Sequence, residues 1–382
     1  MTAAENKWVG TAEELALAVL APHAEDVDRR GRWPSESLAA LGESGLLGLT
    51  VPSTCGGGGE GARTFLAVTS TLAERCASTA MIYLMHVCAV QAIAAAPSFA
   101  PRESLLRSVA AGRHLSTLAF SEKGSRSHFW APVSQAVVEG DVHRLSADKS
   151  FVTGAGCVDS YIVSTRGAGA ADPLASTLYF VPADAAGLTV GEAWNGLGLR
   201  GNASAPLRLE KVAAPASHRV SGEGAGFAAM MNAVLPWFQL GAAAVALGIA
   251  RAATEGTRQH LLTATFDHLG QPLAALPNLR ARLAQMRMAV DAQQAFLDRV
   301  AAQMEHPSPS TLLAVLESKA AAAETALHVT DLAMRVCGGA AFARRLSVER
   351  NFRDARAGAI MAPTTDVLYD LVGKTLLDMP LF

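Results

Sequence analysis

Hydroxyl and aromatic side chains suited to holding a flat heteroaromatic ring or a phosphate occur in two short segments. Ser121 and Ser127 stand on either side of Gly124 and could donate hydrogen bonds to such a ligand. Phe151 and Thr153 alternate along a predicted strand, which would place a stacking surface beside a hydroxyl donor. An ordinary Gly/Ser turn and an ordinary strand explain the two segments equally well, so neither assigns a ligand alone.

Two glycine-rich segments would let the backbone come close to a ligand. Gly338 and Gly339 carry no Cβ, so a bulky anionic ligand could approach the chain there. A paired glycine is also a common way to end a helix. The segment Asn195–Ser204 holds too many glycines, and is too long, for a simple hairpin turn. Both segments therefore stay candidates for binding.

The composition narrows the classes of function. The chain has 382 residues, of which 50% are hydrophobic and 17% charged, and this predicts a globular protein with a large core. A formal net charge of −2 without any Lys/Arg block argues against nucleic acid as a main partner. The five cysteines have neither CxxC nor Cys/His metal spacing, which predicts a cytoplasmic protein with reduced thiols and no metal site. Residues 1–7 contain no apolar stretch, so no secretory signal is expected.

Two apolar runs, Cys76–Pro101 and Gly224–Ala250, are long enough to cross a membrane. The first contains His86 and Gln91, and the second contains Pro236. Helices that are apolar on all sides also occur in the centres of large helical proteins. We therefore expect two buried helices and no membrane association.

The predicted elements run in the order helices, strands, helices. Capping and periodic patterns predict helices in residues 1–113, and short β-branched runs between Gly, Asp and Pro turns predict strands in residues 114–220. Such strands favour an antiparallel barrel or a sandwich. Alanine-rich helical patterns occupy residues 221–382. The expected fold class is α+β, mostly helical, with these three ranges as domains.

Three local signals make narrower predictions. Thr11, followed by acidic residues, predicts a helix start. Thr364-Thr365-Asp366 after a proline predicts the start of the last helix. The four glycines at Gly56–Gly59 predict a flexible surface loop.

Four motifs, in their order along the chain, resemble those of the acyl-CoA dehydrogenase superfamily. Ser121–His128 resembles the family's flavin-binding loop, and Lys149–Thr153 resembles its Lys-x-Trp-Ile-Thr strand. Leu197–Asn202 resembles its Leu-Gly-x-Arg-Gly-Ser segment. Gly338–Phe342 and the later Arg353–Ala355 resemble its Gly-Gly-x-Gly-Phe and Arg-Asp-Ala segments. The resemblance covers nearly the whole chain.

The resemblance implies an N-terminal helical domain, a central β-barrel and a C-terminal four-helix bundle. It also implies a homotetramer or homodimer with FAD bound between subunits. The implied substrate is an acyl thioester, and the implied electron acceptor is an electron-transfer flavoprotein or O2.

Carried over residue by residue, the resemblance places Phe120, Ser121 and Ser127 against the isoalloxazine ring or the adjoining ribityl and phosphate groups. Phe151 and Thr153 would stack on the flavin and form hydrogen bonds to it.

The same carry-over places other residues at the far end of the cofactor. Gly338 and Gly339 would approach the adenosine end of a neighbouring subunit's FAD, and Arg335 could pair with a phosphate. Thr364 would reach the flavin region of its own subunit.

The chain departs from the family at the catalytic base. Ala362 occupies the position where the family usually has a Glu that removes an α-proton. A second position, used by some members, falls near Phe238 and again has no carboxylate. His86 and Asp366 are the remaining candidates, although a core histidine and a helix-start carboxylate also explain them.

Three functional hypotheses follow. The first is an FAD-dependent oxidoreductase that acts on the CH–CH group of an acyl thioester or similar donor, with a non-standard base. The second is a flavin-dependent monooxygenase or oxidase on the same fold, in which reduced flavin reacts with O2 and no α-proton base is required. The third is a partner subunit that keeps the fold and has lost turnover.

Overall fold

The computed structural model describes residues 3–172, 174–268 and 270–382. The predicted domain start at residue 1 lies outside these ranges. The N-terminal part is helical, with a five-residue wider turn at Ala16–Leu20 between the first two helices. Its α-helices are α1 (Ala3–Leu15), α2 (Ala21–Arg30), α3 (Ser35–Glu43), α4 (Ala62–Arg75), α5 (Ala77–Ala94) and α6 (Arg102–Ala110).

Thr11 does not start a helix, contrary to the prediction. It lies inside α1, where its Oγ1 donates to the carbonyl of Lys7 at 3.0 Å. A hydroxyl within a helix can bond the carbonyl four residues back, which is an alternative to capping.

The four-glycine segment is a packed turn and not a flexible loop. Gly58 N donates to Gly48 O at 3.0 Å, and Gly59 N donates to Val51 O at 2.9 Å. A Cβ on Gly57 would lie 2.3 Å from Val51 O. A Cβ on Gly58 would lie 2.7 Å from Leu49 O, so close backbone approach requires glycine at both Gly57 and Gly58.

The middle part contains two sheets. Seven strands form them: β1 (Ser116–Ala119), β2 (Val137–Glu139), β3 (Val142–Val152), β4 (Ser160–Arg166), β5 (Ser176–Pro182), β6 (Leu188–Val190) and β7 (Ala205–Pro215). Their orders are β1-β4-β5 and β2-β3-β7-β6. Pairing is antiparallel except between β1 and β4, which are parallel, so the predicted antiparallel arrangement is wrong for that pair. The strand pairs of the described residues do not close a barrel, and the barrel stays a prediction.

The C-terminal part is helical again, apart from a small hairpin of β8 (Thr265–Phe266) and β9 (Gln271–Pro272). A wider helical turn at Met230–Val234 precedes its first long helix. Its α-helices are α7 (Gly226–Ala229), α8 (Leu235–Thr263), α9 (Pro277–Glu305), α10 (Thr311–Phe342), α11 (Val348–Ile360) and α12 (Thr365–Leu376). The helical geometry of α10 breaks at Gly338, where φ is 53° and ψ is −133°.

Buried apolar side chains form one core in the helical parts and a smaller core inside the strands. In the part of the chain that the structure describes, two helices are long and apolar enough to cross a membrane. They contain α5 and α8, and 83% and 78% of their most apolar windows are buried inside the protein. Such burial is the behaviour of core helices.

Candidate active site

The segment after β1 is joined to the end of β3. Ser150 N donates to Ser121 O at 2.8 Å. This bond places Phe120 and Ser121 next to the residue that precedes Phe151. Phe120 is buried, whereas Ser121 is partly exposed. Two segments that the sequence assigned to one ligand are therefore neighbours in space.

A buried ion pair holds this junction in place. Lys149 Nζ donates to Glu122 Oε1, and the side chains are 0% and 1% exposed. Glu122 Oε2 also accepts hydrogen bonds from Val133 N and Ser134 N, each at 2.8 Å. Burial opposes ionisation of Glu122, but the Lys149 ammonium and these donors outweigh it and lower the pKa of the carboxyl. The loop is thus fixed to the sheet by a charged pair with several partners.

Phe151 presents its ring to solvent from a strained backbone. Its φ is 54°, a left-handed conformation that bulky residues rarely adopt, and it is 71% exposed. The strain falls at a register shift of the β3–β7 pair, between Lys149 and Val152. The ring of Trp194 lies 6.3 Å away between centroids, at 83° to it. Strain of this kind concentrates at functional sites, and the exposed ring can stack on a flat ligand.

A hydroxyl pair lies two residues beyond this ring. Thr153 is 6% exposed, and its Oγ1 lies 3.2 Å from Ser204 Oγ, within hydrogen-bond distance. The hydroxyl expected to contact a ligand therefore has an internal partner in the protomer.

Ser127 and Thr364 meet although they are 237 residues apart in sequence. Thr364 N donates to Ser127 Oγ at 3.0 Å. Thr364 also caps α12, because its side chain accepts a hydrogen bond from Val367 N at 3.4 Å. The predicted start of the last helix is confirmed. The contact closes the site by joining the loop after β1 to the α11–α12 connection.

Lys319 holds the other side of this connection. Its side chain is buried on α10, and Nζ donates to three carbonyl oxygens: Gly358 at 2.8 Å, Met361 at 3.1 Å and Pro363 at 2.9 Å. Burial lowers the pKa of Lys319 to about 7. The position of Ala362 is therefore set by a buried amine that bonds the residues on both sides of it.

The two candidate bases differ in their surroundings. His86 is 0% exposed, Nε2 lies 3.0 Å from Leu47 O, and Nδ1 accepts a hydrogen bond from Ser116 N at 3.1 Å. Burial lowers the pKa of His86 to about 4, so the ring is neutral at pH 7 with both nitrogens engaged by backbone. These are the contacts of a structural core histidine. Asp366 is exposed on the first turn of α12, the place of a helix-start carboxylate.

The residues expected at the distal end of the ligand lie on the last turns of α10. Arg335 is exposed and paired with Asp331 at 2.8 Å. A Cβ added to Gly338 or Gly339 would have no neighbouring heavy atom within 4 Å. No hydrogen bond between described residues connects these three to Ser127 or Phe151. This end of the predicted site is an open surface of the protomer.

The arrangement can bind a flat, phosphate-bearing ligand but offers no carboxylate at Ala362. No group of three His, Cys, Asp or Glu side chains that could hold a metal occurs in the part of the chain that the structure describes. Sequence reasoning missed the role of Lys319. The sequence feature that could have indicated this role is a single lysine in the alanine-rich run that follows Ser318.

Three family models match consecutive parts of the chain. They are the acyl-CoA dehydrogenase N-terminal domain at residues 2–113, the middle domain at residues 117–212 and the C-terminal domain at residues 224–377. A solved structure of butyryl-CoA dehydrogenase from Megasphaera elsdenii has the same fold, with a TM-score of 0.93 and 24% identity over 99% of each chain.

Two similar proteins match this chain over nearly its whole length. A 3-sulfinopropanoyl-CoA desulfinase of Paraburkholderia xenovorans is 30% identical over 100% of this chain and 98% of its own length. A cyclohex-1-ene-1-carbonyl-CoA dehydrogenase of Geobacter metallireducens is 28% identical over 95% of each chain.

Proposed function

The chain belongs to the acyl-CoA dehydrogenase family of FAD-dependent oxidoreductases, and we propose that it takes two electrons from the CH–CH group of an acyl thioester or a similar donor. The observation that carries the proposal is the exposed, strained Phe151, which is 71% exposed at a φ of 54°. The backbone strain costs folding energy and leaves the face of the ring open to solvent, which fits a residue that stacks on a bound ring.

The residues present fit FAD. Phe151 would stack on the isoalloxazine ring beside Phe120, and the hydroxyls of Ser121 and Thr153 would form hydrogen bonds to it. Ser127 would contact the adjoining ribityl or phosphate groups, and Thr364 would contact the same region from the C-terminal side. The Thr364–Ser127 bond of 3.0 Å supports this because it brings the two donors together. When bound, FAD supplies the acceptor for a hydride.

The distal end of FAD would lie on a second subunit. Gly338 and Gly339 present backbone without a neighbouring atom within 4 Å, which supports the approach of an adenosine group. Arg335 would leave its ion pair with Asp331 and pair with a phosphate instead. The acyl-CoA dehydrogenase fold is shared over the whole length, and assembly as a homotetramer or homodimer completes this part of the site.

Exposed apolar side chains on the last helices support such an assembly. Phe342 is 85% exposed, Ile360 is 74% exposed and Leu377 is 71% exposed. Burial of these side chains against another copy of the chain would remove them from water. Light scattering on the purified protein tests this, and a monomer at all concentrations would refute the shared site.

The domains proposed are residues 1–113, 114–220 and 221–382, with a middle barrel and a C-terminal four-helix bundle. The ranges of the three matching family models support these boundaries. A cytoplasmic location with reduced thiols is also proposed, because all five cysteines are free.

The proton acceptor of the proposed reaction is not the residue at the usual position. Ala362 has a methyl group there, and Lys319 fixes its neighbours by bonds to Met361 O and Pro363 O. Loss of a general base costs roughly 10²–10⁴-fold in rate. Dehydrogenation by this chain is therefore slow for unactivated donors, or it uses a donor that needs no base from the protein.

The missing carboxylate favours a second candidate function, a flavin-dependent monooxygenase or oxidase in which O2 accepts the electrons. A relative at 30% identity is named a desulfinase, which supports reactions other than dehydrogenation on this fold. An electron-transfer flavoprotein is the alternative acceptor under the first function. The remaining hypothesis is a partner subunit that keeps the fold and has lost catalytic turnover.

The experiment uses the FAD-loaded protein under anaerobic conditions with a panel of acyl-CoA thioesters. Bleaching of the flavin absorbance by one of them supports dehydrogenation. Ala362→Glu should raise the bleaching rate by about 10²-fold or more, since it restores a carboxylate at the usual position. Asp291→Asn, which changes an exposed carboxylate on α9, is the control and should leave the rate unchanged.

Two results would overturn the proposal. Protein that takes up no FAD excludes both flavin functions. Protein that keeps FAD but is bleached by no thioester, with or without Ala362→Glu, excludes dehydrogenation. In that case product formation that depends on O2 and a reductant would favour the monooxygenase.

A further inference from the structure

A pocket rich in arginine is lined by none of the residues assigned to the flavin. It has a volume of ≈ 280 Å³ and is bounded by α2, the loop before β7 and the start of α11. Six arginines and three carboxylates line it. The surplus of three positive charges occurs in a chain whose net charge is −2.

The three carboxylates already have partners. Asp28 pairs with Arg353 at 2.6 Å, and Glu349 pairs with the same guanidinium at 2.8 Å. Glu25 pairs with Arg29 at 2.7 Å. The carboxylates of the pocket are therefore paired with Arg29 and Arg353, and Arg344 lies 4.0 Å from Glu349.

Three other arginines have no carboxylate within 4.0 Å among the described residues. Arg200 Nε donates to Asp28 O at 2.8 Å, and Arg350 Nη2 is 3.4 Å from Arg75 O, so both are oriented by backbone carbonyls. Arg345 is exposed at the rim. Guanidinium groups without counter-charges repel one another across a small pocket, and an anion relieves that repulsion.

The start of α11 also faces the pocket. Ser347 is the residue before its first turn and makes no side-chain cap, so the first amide groups of this 13-residue helix lack that partner. The positive end of a helix dipole and free N–H groups bind phosphate. The first turn also carries Glu349, whose carboxylate is paired with Arg353 and whose N–H has only a long bond of 3.4 Å to Leu346 O. The start of the helix therefore adds to the field of the unpaired arginines, which carry most of the positive charge.

We propose that this pocket binds a phosphate or pyrophosphate group of a small molecule. Its volume lies just under the range of sites for drug-sized ligands, so it suits a compact, highly charged group. The planar guanidinium fork matches phosphate oxygens in pairs. None of the pocket residues is one of those expected to hold FAD, so the pocket is a second site, although Arg345 N donates to Ala340 O at 3.1 Å beside the Gly338–Gly339 segment.

Binding is tested on the FAD-loaded protein by calorimetry at constant ionic strength. Inorganic pyrophosphate and ADP are the two probes, and they distinguish a free inorganic anion from a nucleotide. Saturable binding of at least one probe is expected. Arg345→Ala should weaken it about tenfold or more, since a hydrogen bond to a charged group is lost.

Arg287→Ala is the matched control. Arg287 is exposed on α9 and paired with Asp291 at 2.8 Å, so its removal changes the net charge equally without touching the pocket. The Arg287→Ala variant should bind the probe with the same affinity as the unaltered protein. Arg345 is exposed, and its replacement leaves the core intact.

Two results would overturn the proposal. One is the absence of saturable binding of both probes at matched ionic strength, which would leave the surface free for an acidic protein instead. The other is equal weakening by Arg345→Ala and Arg287→Ala, which would show attraction by overall charge alone.

Discussion

Replacing Lys319 by methionine removes the side chain that holds the α11–α12 connection. Lys319 is 1% exposed, and its three carbonyl acceptors lie at 2.8, 3.1 and 2.9 Å. Each buried carbonyl left without a donor costs about 1–3 kcal/mol. At pH 8 the amine is mostly neutral and donates to two of the three carbonyls at a time. Water entering the partly exposed connection offsets part of the cost of losing these bonds, so we expect a loss of about 3 kcal/mol in the free energy of unfolding at pH 8.

The loss depends on pH, because burial lowers the pKa of Lys319 from 10.5 in the unfolded chain to about 7 in the folded protein. Between these values the unfolded chain binds the proton and the folded protein does not, so stability rises with pH. From pH 6 to pH 8 the gain is about 1.4 kcal/mol, and the methionine variant lacks it. The difference between the two proteins should therefore be larger at pH 8 than at pH 6.

Urea unfolding at pH 6, 7 and 8 measures this difference. Lys374→Met is the matched control, because Lys374 lies on the surface of α12 in a 3.0 Å pair with Asp370. The control should change stability by less than about 1 kcal/mol, without this pH trend. Parallel curves for wild type and Lys319→Met across this range would refute the reasoning. Lys319→Met should also release FAD more readily, since it loosens the loop before Thr364.

Two further predictions concern the sheet side of the site. Phe151→Gly should leave the free energy of unfolding unchanged or raise it by about 1 kcal/mol, because it relieves the φ of 54°. The same variant should bind FAD more weakly in a fluorescence titration. Unchanged affinity for FAD would show that the ring is not part of the site. Lys149→Met should destabilise the protein by about 3–5 kcal/mol, since it leaves Glu122 charged and buried. The double variant with Glu122→Gln should recover part of that loss in thermal unfolding, and no recovery would show that the pair is not coupled.

Local patterns were sufficient for the long helices and for one cap. The alanine-rich patterns of residues 221–382 predict the long helices found there, and the Thr364-Thr365-Asp366 signal predicts the start of α12. These features depend on residues that are close in sequence, and a helix start is set by a side chain and an amide three residues away. The same kind of local reading was wrong at Thr11, because a hydroxyl within a helix and a capping hydroxyl look alike in sequence.

Features that depend on pairing between distant segments were harder to predict from the sequence. The parallel pairing of β1 with β4 has no local signal, and the three-residue strand β6 is recognised only by its partner β7. The flexible loop expected at Gly56–Gly59 is a packed turn because the backbone at Gly48 and Val51 comes close to it. Composition indicates where a turn can form but not what will lie against it.

The residue types of this chain were enough for its family and for a mostly helical fold with strands in the middle, and they named the side chains that we propose lie around the flavin. They also placed Ala362 where a carboxylate is usual. Only the tertiary structure revealed the Ser127–Thr364 contact, the three carbonyls held by Lys319 and the exposed ring of Phe151. The physical reason is that burial and hydrogen-bond partners depend on atoms brought together by folding, and the segments that meet here are up to 237 residues apart.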